Sequence, residues 1–325
     1  MKRSNPPALT SGAKPSGPSL AVAAPGGARR GGLLVIVGLA GALALAVAAQ
    51  RWLEADADGD RVADQADACP ATPAGQAVDA QGCCAAARTL STAVGALAAG
   101  DAPAMEIGEA WMIAQLAAER ADPPLRDLAA ATGQRLAGHR ASRLLRRDAA
   151  PLDLPEDPGR GIARLATYIY APAGHPPERA AAFIDAFTAA PATGYVLTHQ
   201  LLVLDWAASA GLALPAAVTA RRAALLERIA AEQAADTTFS DLFAERAAIL
   251  LAFAAPPAAE ADRWLAVIAA AAPADGRWVS GRSAIAYDGQ TASASHPWVH
   301  TTGFVAAAAG YYLQRRDGLA GAPPP

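Results

Sequence analysis

An uncharged run from Gly31 to Ala49, GGLLVIVGLAGALALAVAA, limits more than any other feature what this chain can fold into. As a helix rising 1.5 Å per residue it would reach roughly 28 Å, close to the ~30 Å hydrocarbon core of a bilayer. The sequence therefore predicts a transmembrane helix over 31–50. Lys2, Arg3, Lys14, Arg29 and Arg30 precede it, whereas Glu54, Asp56 and Asp58 follow it. By the positive-inside rule the N-terminus is then cytoplasmic and the rest lies outside, a single-pass membrane protein with an extracytoplasmic C-terminal domain. A cleaved signal peptide is the alternative, with Ala46-Val47-Ala48 as a small-residue cleavage site. The run is longer than a typical signal core and its leader is unusually long, which favours an uncleaved signal-anchor. Residues 1–30, rich in Pro, Gly, Ser and Ala, have no apolar period and are expected to form a disordered cytoplasmic tail. Residues 319–325 are expected to form a second one.

The next segment is acidic in a particular rhythm. Asp56, Asp58 and Asp60 alternate, and Asp64 and Asp67 stand ninth and twelfth counted from Asp56. This is the ligand spacing of a calcium loop, in which the backbone carbonyl of Val62 would add a further oxygen. Without an ion the carboxylates repel one another. A solvated acidic linker is the competing reading, but such a linker has no reason to place acids at these intervals.

With Cys69-Pro70, Thr72-Pro73, Gly75, Val78-Asp79 and Gly82-Cys83 added, the stretch resembles a thrombospondin type 3 repeat of bacterial envelope proteins, where such repeats often link a membrane part to a second domain. The resemblance implies a calcium-binding repeat over 54–84, a Cys69–Cys83 disulfide and a place in the bacterial envelope. An exported compartment is oxidising enough to keep such a bond. Cys84 is the odd thiol: it could replace Cys83, pair between chains, or lie buried at the start of the first helix. The repeat departs from its pattern at Arg61, which stands where Gly usually makes the sharp turn. A side chain there strains the backbone and brings a cation beside the ion.

From 85 to 318 the chain reads as an all-α domain. The 53% hydrophobic content is dominated by Ala, and aromatics are only 6%. Apolar residues recur at intervals of three and four, punctuated by Gly100-Asp101, Asp122-Pro123-Pro124 and Pro176-Pro177-Glu178. Helices are expected near 85–99, 104–120, 124–147, 161–171, 177–188, 193–210, 215–235, 238–254, 258–272 and 298–315. Short connections should pack them as antiparallel pairs. The stretch 273–297 reads as a structured surface loop. A net charge of −3 leaves no basic surface for phosphates and excludes a nucleic-acid partner.

Three helices late in the chain each carry a titratable group on an apolar face. His199 shares a face with Tyr195, Leu202, Val203 and Trp206; Asp241 and Glu245 are spaced i, i+4, with Glu245 in line with Leu242 and Ile249; His296 and His300 flank Pro297, and His300 is in line with Phe304 and Tyr311. Convergence of such groups makes a pocket or metal site, with His199, Glu245 and His300 as candidate catalytic residues and a transition metal as a possible cofactor beside Ca2+. Hydrogen-bonded core residues are the plainer reading. The segments Tyr195–His199 and His300–Val305 are similar to stretches of uncharacterised bacterial helical domains resembling α/α toroids, which would face His199 and His300 into a central cavity. No nucleophile elbow, zincin or P-loop motif occurs. The leading expectation is a membrane-anchored envelope protein whose calcium-stabilised stalk presents a helical binding or scaffolding domain to a protein or envelope partner. An enzyme with a His/acid or metal site is the alternative.

Overall fold

The computed structural model describes residues 30–53, 55–57, 61–67, 69, 72, 77–78, 80–99, 105–120, 122–137, 142–145, 177–209, 211–279, 284–287, 290–293 and 297–318. The expected tails at 1–29 and 319–325, the expected helix at 161–171, and Asp58, Asp60 and His296 lie outside them. The chain divides into two units, residues 1–54 and 55–325.

The first unit contains helix α1 (Arg30–Leu53). The expectation of a membrane-spanning, single-pass protein is corrected here: among the described residues no helix is long and apolar enough to cross a membrane.

The second unit begins with a loop closed by a disulfide between Cys69 and Cys83. Ahead of it the backbone N–H of Arg61 donates to Asp56 Oδ2 at 2.9 Å, and that of Ala57 donates to Asp64 Oδ1 at 2.8 Å. Arg61 turns the chain at φ 76°, the left-handed region where a Cβ is costly; among the described residues it is the only non-glycine with positive φ. Val78 pairs with Cys84 in an isolated antiparallel bridge. Of the three fates open to Cys84 the structure takes the buried one. Its side chain is 1% exposed, and its sulfur accepts the N–H of Ala87 at 3.5 Å, capping the first helix of the domain.

Among the described residues the domain is all-α apart from one hairpin. Its helices are α2 (Ala85–Ala98), α3 (Ile107–Glu119), α4 (Pro123–Arg135), α5 (Ser142–Leu145), α6 (Pro177–Ala189), α7 (Gly194–Ser209), α8 (Ala216–Ala235), α9 (Asp241–Phe253), α10 (Ala258–Ala270) and α11 (Pro297–Arg316). Between α10 and α11, β1 (Ala284–Tyr287) pairs antiparallel with β2 (Gln290–Ser293), so the surface loop expected at 273–297 contains a hairpin. The single helix expected over 124–147 is two, because the first ends at Arg135 and Leu136 and Ala137 turn away.

Start signals explain the helices that matter for the site. Asp122 caps α4, which carries Pro in its first turn. Ser240 Oγ accepts the N–H of Phe243 at 3.0 Å and opens α9. At the start of α3 the N–H of Glu106 donates to Glu109 Oε1 at 2.6 Å, a capping-box contact that fixes the Glu109 carboxyl close to its own backbone.

Helix α11 is the axis of the domain. It packs most extensively on α2 and α9 and then on α3, and Phe304 to Ala309 are fully buried. A helix apolar on every side must be surrounded. Small residues let its neighbours close in: a Cβ on Gly303 would fall 2.7 Å from Glu109 Cγ and 2.8 Å from Glu109 Cβ, and one on Gly310 would collide with Leu116 Cδ2. Trp111, Trp206 and Trp264 fill the wider gaps, with Trp111 edge-on to Trp206 at 6.3 Å.

Candidate metal centre

Four helices aim polar side chains at one buried point. From α11 comes His300, from α9 Asp241 and Glu245, from α7 Tyr195, Thr198 and His199, and from the start of α3 Glu106 and Glu109. Glu109, Asp241 and Glu245 are fully buried, His199 and His300 are nearly so, and Glu106 has a half-exposed carboxylate.

His300 sits in the middle. Its Nδ1 lies 3.4 Å from Glu109 Oε2 and 3.8 Å from Glu106 Oε2; its Nε2 lies 3.4 Å from Asp241 Oδ2 and 3.9 Å from Glu245 Oε2. His199 Nε2 is 4.0 Å from Glu245 Oε1. Hydroxyl donors hold both oxygens of Asp241 and one of Glu245. Thr301 donates to Asp241 Oδ1 at 2.7 Å, Tyr195 to Asp241 Oδ2 at 2.7 Å, and Thr198 to Glu245 Oε1 at 2.5 Å. The inner atoms are different. Glu109 Oε2, Glu245 Oε2 and both ring nitrogens of His300 are buried and make no hydrogen bond. Buried polar atoms nearly always have partners, so four orphans around one point are a signal.

The spacing explains what suits them. Two donors held about 2.0–2.2 Å from a tetrahedral ion lie about 3.3–3.6 Å from each other, longer than a hydrogen bond and shorter than separate packing would leave them. The two shortest His300 contacts fall in that range. Two ligand groups result, Glu106, Glu109 and His300 on one side and Asp241, Glu245 and His300 on the other.

Electrostatics point the same way. Four carboxylates share the site, and the nearest arginine on α9, Arg246, is committed elsewhere, 3.2 Å from Glu232 and 2.6 Å from Asp236. Burial raises the Asp241 carboxyl above its ordinary range, and burial together with Glu109 does the same for Glu106. Burial would depress His300, but Glu109, Glu245 and Asp241 outweigh it and hold the imidazole protonated well above the ordinary histidine value. Burial lowers His199, against the pull of Glu245 in the other direction. The Glu245 carboxyl is lowered against its own burial by His199, with His300 and Thr198 adding to the effect.

Of the residues expected from sequence, the structure brings together His199, Asp241, Glu245 and His300. Sequence reasoning missed Glu106 and Glu109. Glu109 was legible in part, since it lies in line with Met112, Ile113 and Leu116, an acid on an apolar stripe like Glu245. Of the expected calcium ligands, Asp56, Val62, Asp64 and Asp67 are described and lie in the segment just before the disulfide-closed loop. No known protein family matches the chain, and no curated protein or solved structure is similar to it.

Proposed function

We propose that the helical domain is a metalloprotein whose function resides at the His300 centre, with a divalent first-row transition ion as cofactor. The observation that carries this is the set of four buried ligand atoms from three helices that make no hydrogen bond and meet one another only at 3.4–3.9 Å. Mixed imidazole and carboxylate donors suit zinc, iron or manganese better than calcium or magnesium, which prefer oxygen alone. Either Glu106, Glu109 and His300 or Asp241, Glu245 and His300 would hold the ion, with His199 beside Glu245, while Tyr195, Thr198 and Thr301 orient the carboxylates from behind. The ion would supply Lewis acidity or redox chemistry. The half-exposed Glu106 gives one edge access to solvent, which favours an enzyme over a purely structural ion, because structural sites are closed on all sides. A binding or scaffolding domain would need only an apolar groove and leaves the buried charge without a purpose. Antiparallel helix pairs in a toroid-like ring fit a centre at the meeting point of the helices and are proposed on that ground.

Metal analysis of the full-length chain, purified without chelator, tests the reading. A stoichiometric transition ion that disappears in the His199→Ala, His300→Ala double variant is expected. Metal-free protein that takes up no transition ion on addition overturns it.

For the 54–84 loop we propose calcium binding, supported by Asp56 and Asp64 folding back onto the loop backbone and by the tight turn at Arg61, where calcium loops bend most sharply. Calcium calorimetry, with the disulfide intact, tests it; no calcium heat in either wild type or Arg61→Gly overturns it.

A further inference from the structure

We propose that the centre holds two metal ions and that the His300 ring bridges them as an imidazolate; this rests on the metal-centre reading above. The two nitrogens of His300 face different ligands. Nδ1 faces Glu106 and Glu109 from α3, and Nε2 faces Asp241 and Glu245 from α9, with His199 behind Glu245. A histidine that ligates one ion normally donates its remaining N–H to a carboxylate or carbonyl, which fixes the ring. Neither nitrogen of His300 makes such a bond, although carboxylate oxygens stand at 3.4 Å from both. Both edges of the ring are therefore set up in the same way, each with one carboxylate oxygen at the ligand-sharing distance of 3.4 Å and a second at 3.8 or 3.9 Å.

Charge gives the second argument. Four carboxylates and a neutral imidazole around one divalent ion leave a net −2 in a buried site. Four carboxylates and an imidazolate around two divalent ions leave −1. Uncompensated buried charge is costly, so the second ion is favoured once the first is bound. The proton balance is simple: neutral His300 gives up its remaining ring proton to solvent as the second metal–nitrogen bond forms. The two positions differ in access. The Asp241, Glu245 and His199 side is closed, and the Glu106 side opens to solvent, which makes the latter the position where a substrate or water would exchange.

Copper(II) titration of the metal-free, full-length chain, followed by electron paramagnetic resonance, decides the question. The signal should grow to one equivalent and then fall towards zero by two, as exchange through the imidazolate pairs the spins. Glu109→Gln should bind one copper and keep its full signal. Saturation at one equivalent, or two equivalents with additive signals, overturns the bridge and leaves the metal reading standing. No copper uptake overturns both. The wild-type titration decides alone if the variant fails to fold.

Discussion

Alanine at Gly303 is the sharpest structural test of the centre. The new Cβ would stand 2.7 Å from Glu109 Cγ, 2.8 Å from Glu109 Cβ and 3.6 Å from Met105 Sδ. Real Cβ atoms do not approach that closely, and the Glu109 atoms are the inner part of a side chain tied to the Glu106 N–H, so α3 must move rather than a flexible tip. Overpacking of this kind costs about 1–3 kcal/mol, from which ~0.5–1 kcal/mol of helix propensity is recovered on replacing Gly. A net loss of about 1–2 kcal/mol corresponds to a melting point lower by roughly 2–8 °C in a domain of this size. Displacing Glu109 should also weaken metal binding by about 10–100-fold. Two controls separate the causes. At Gly310 the clash is with Leu116, away from the ligands, so Gly310→Ala should lose stability and keep its metal affinity. Gly95 is exposed on α2 with nothing within 4 Å of the added Cβ, so Gly95→Ala should be more stable by ~0.5–1 kcal/mol. Guanidinium unfolding and metal titration of the three variants read both effects. A Gly303→Ala protein that matches wild type in stability and metal affinity would refute the reasoning.

Arg61→Gly should relieve a left-handed residue worth about 1–2 kcal/mol and tighten calcium binding from the roughly 10⁻⁴ to 10⁻³ M range of extracellular calcium modules; unchanged affinity in calorimetry counts against the loop. In metal-free protein the stabilising contribution of His300 should be complete below its unfolded value of 6.5 and fade as pH rises through its higher folded value. The stability gap between wild type and His300→Gln, measured in chelator, should therefore narrow from pH 6.5 into the alkaline range; a widening gap contradicts the assigned charge. Reducing the Cys69–Cys83 bond, with its sequence separation of 14, should cost the loop up to ~3 kcal/mol while the metal content of the helical centre stays constant. Metal lost on reduction would show that the loop supports the centre.

Much of the fold was legible because its causes are local. Caps such as Ser240 and Asp122, proline in a first turn and apolar periodicity act within a few residues, and most described helices begin and end within a few residues of where these signals place them. The strain at Arg61 was readable for the same reason, since a turn at the sixth position of a calcium loop needs positive φ whatever surrounds it. The apolar run at 31–49 misled because length and hydropathy describe what a segment could do in a bilayer, and no described helix is long and apolar enough to do it. His199, Glu245 and His300 could be singled out as polar groups on apolar faces, but not shown to meet. Their meeting depends on α11 lying buried among α2, α3 and α9, and on Gly303 letting Glu109 close on it. Sequence thus determined which side chains point inward. Tertiary packing alone decided that Glu106 and Glu109, nearly 200 residues before His300, complete the same centre, because distances of 3.4 Å across helices are set by how backbones pack and not by any spacing along the chain.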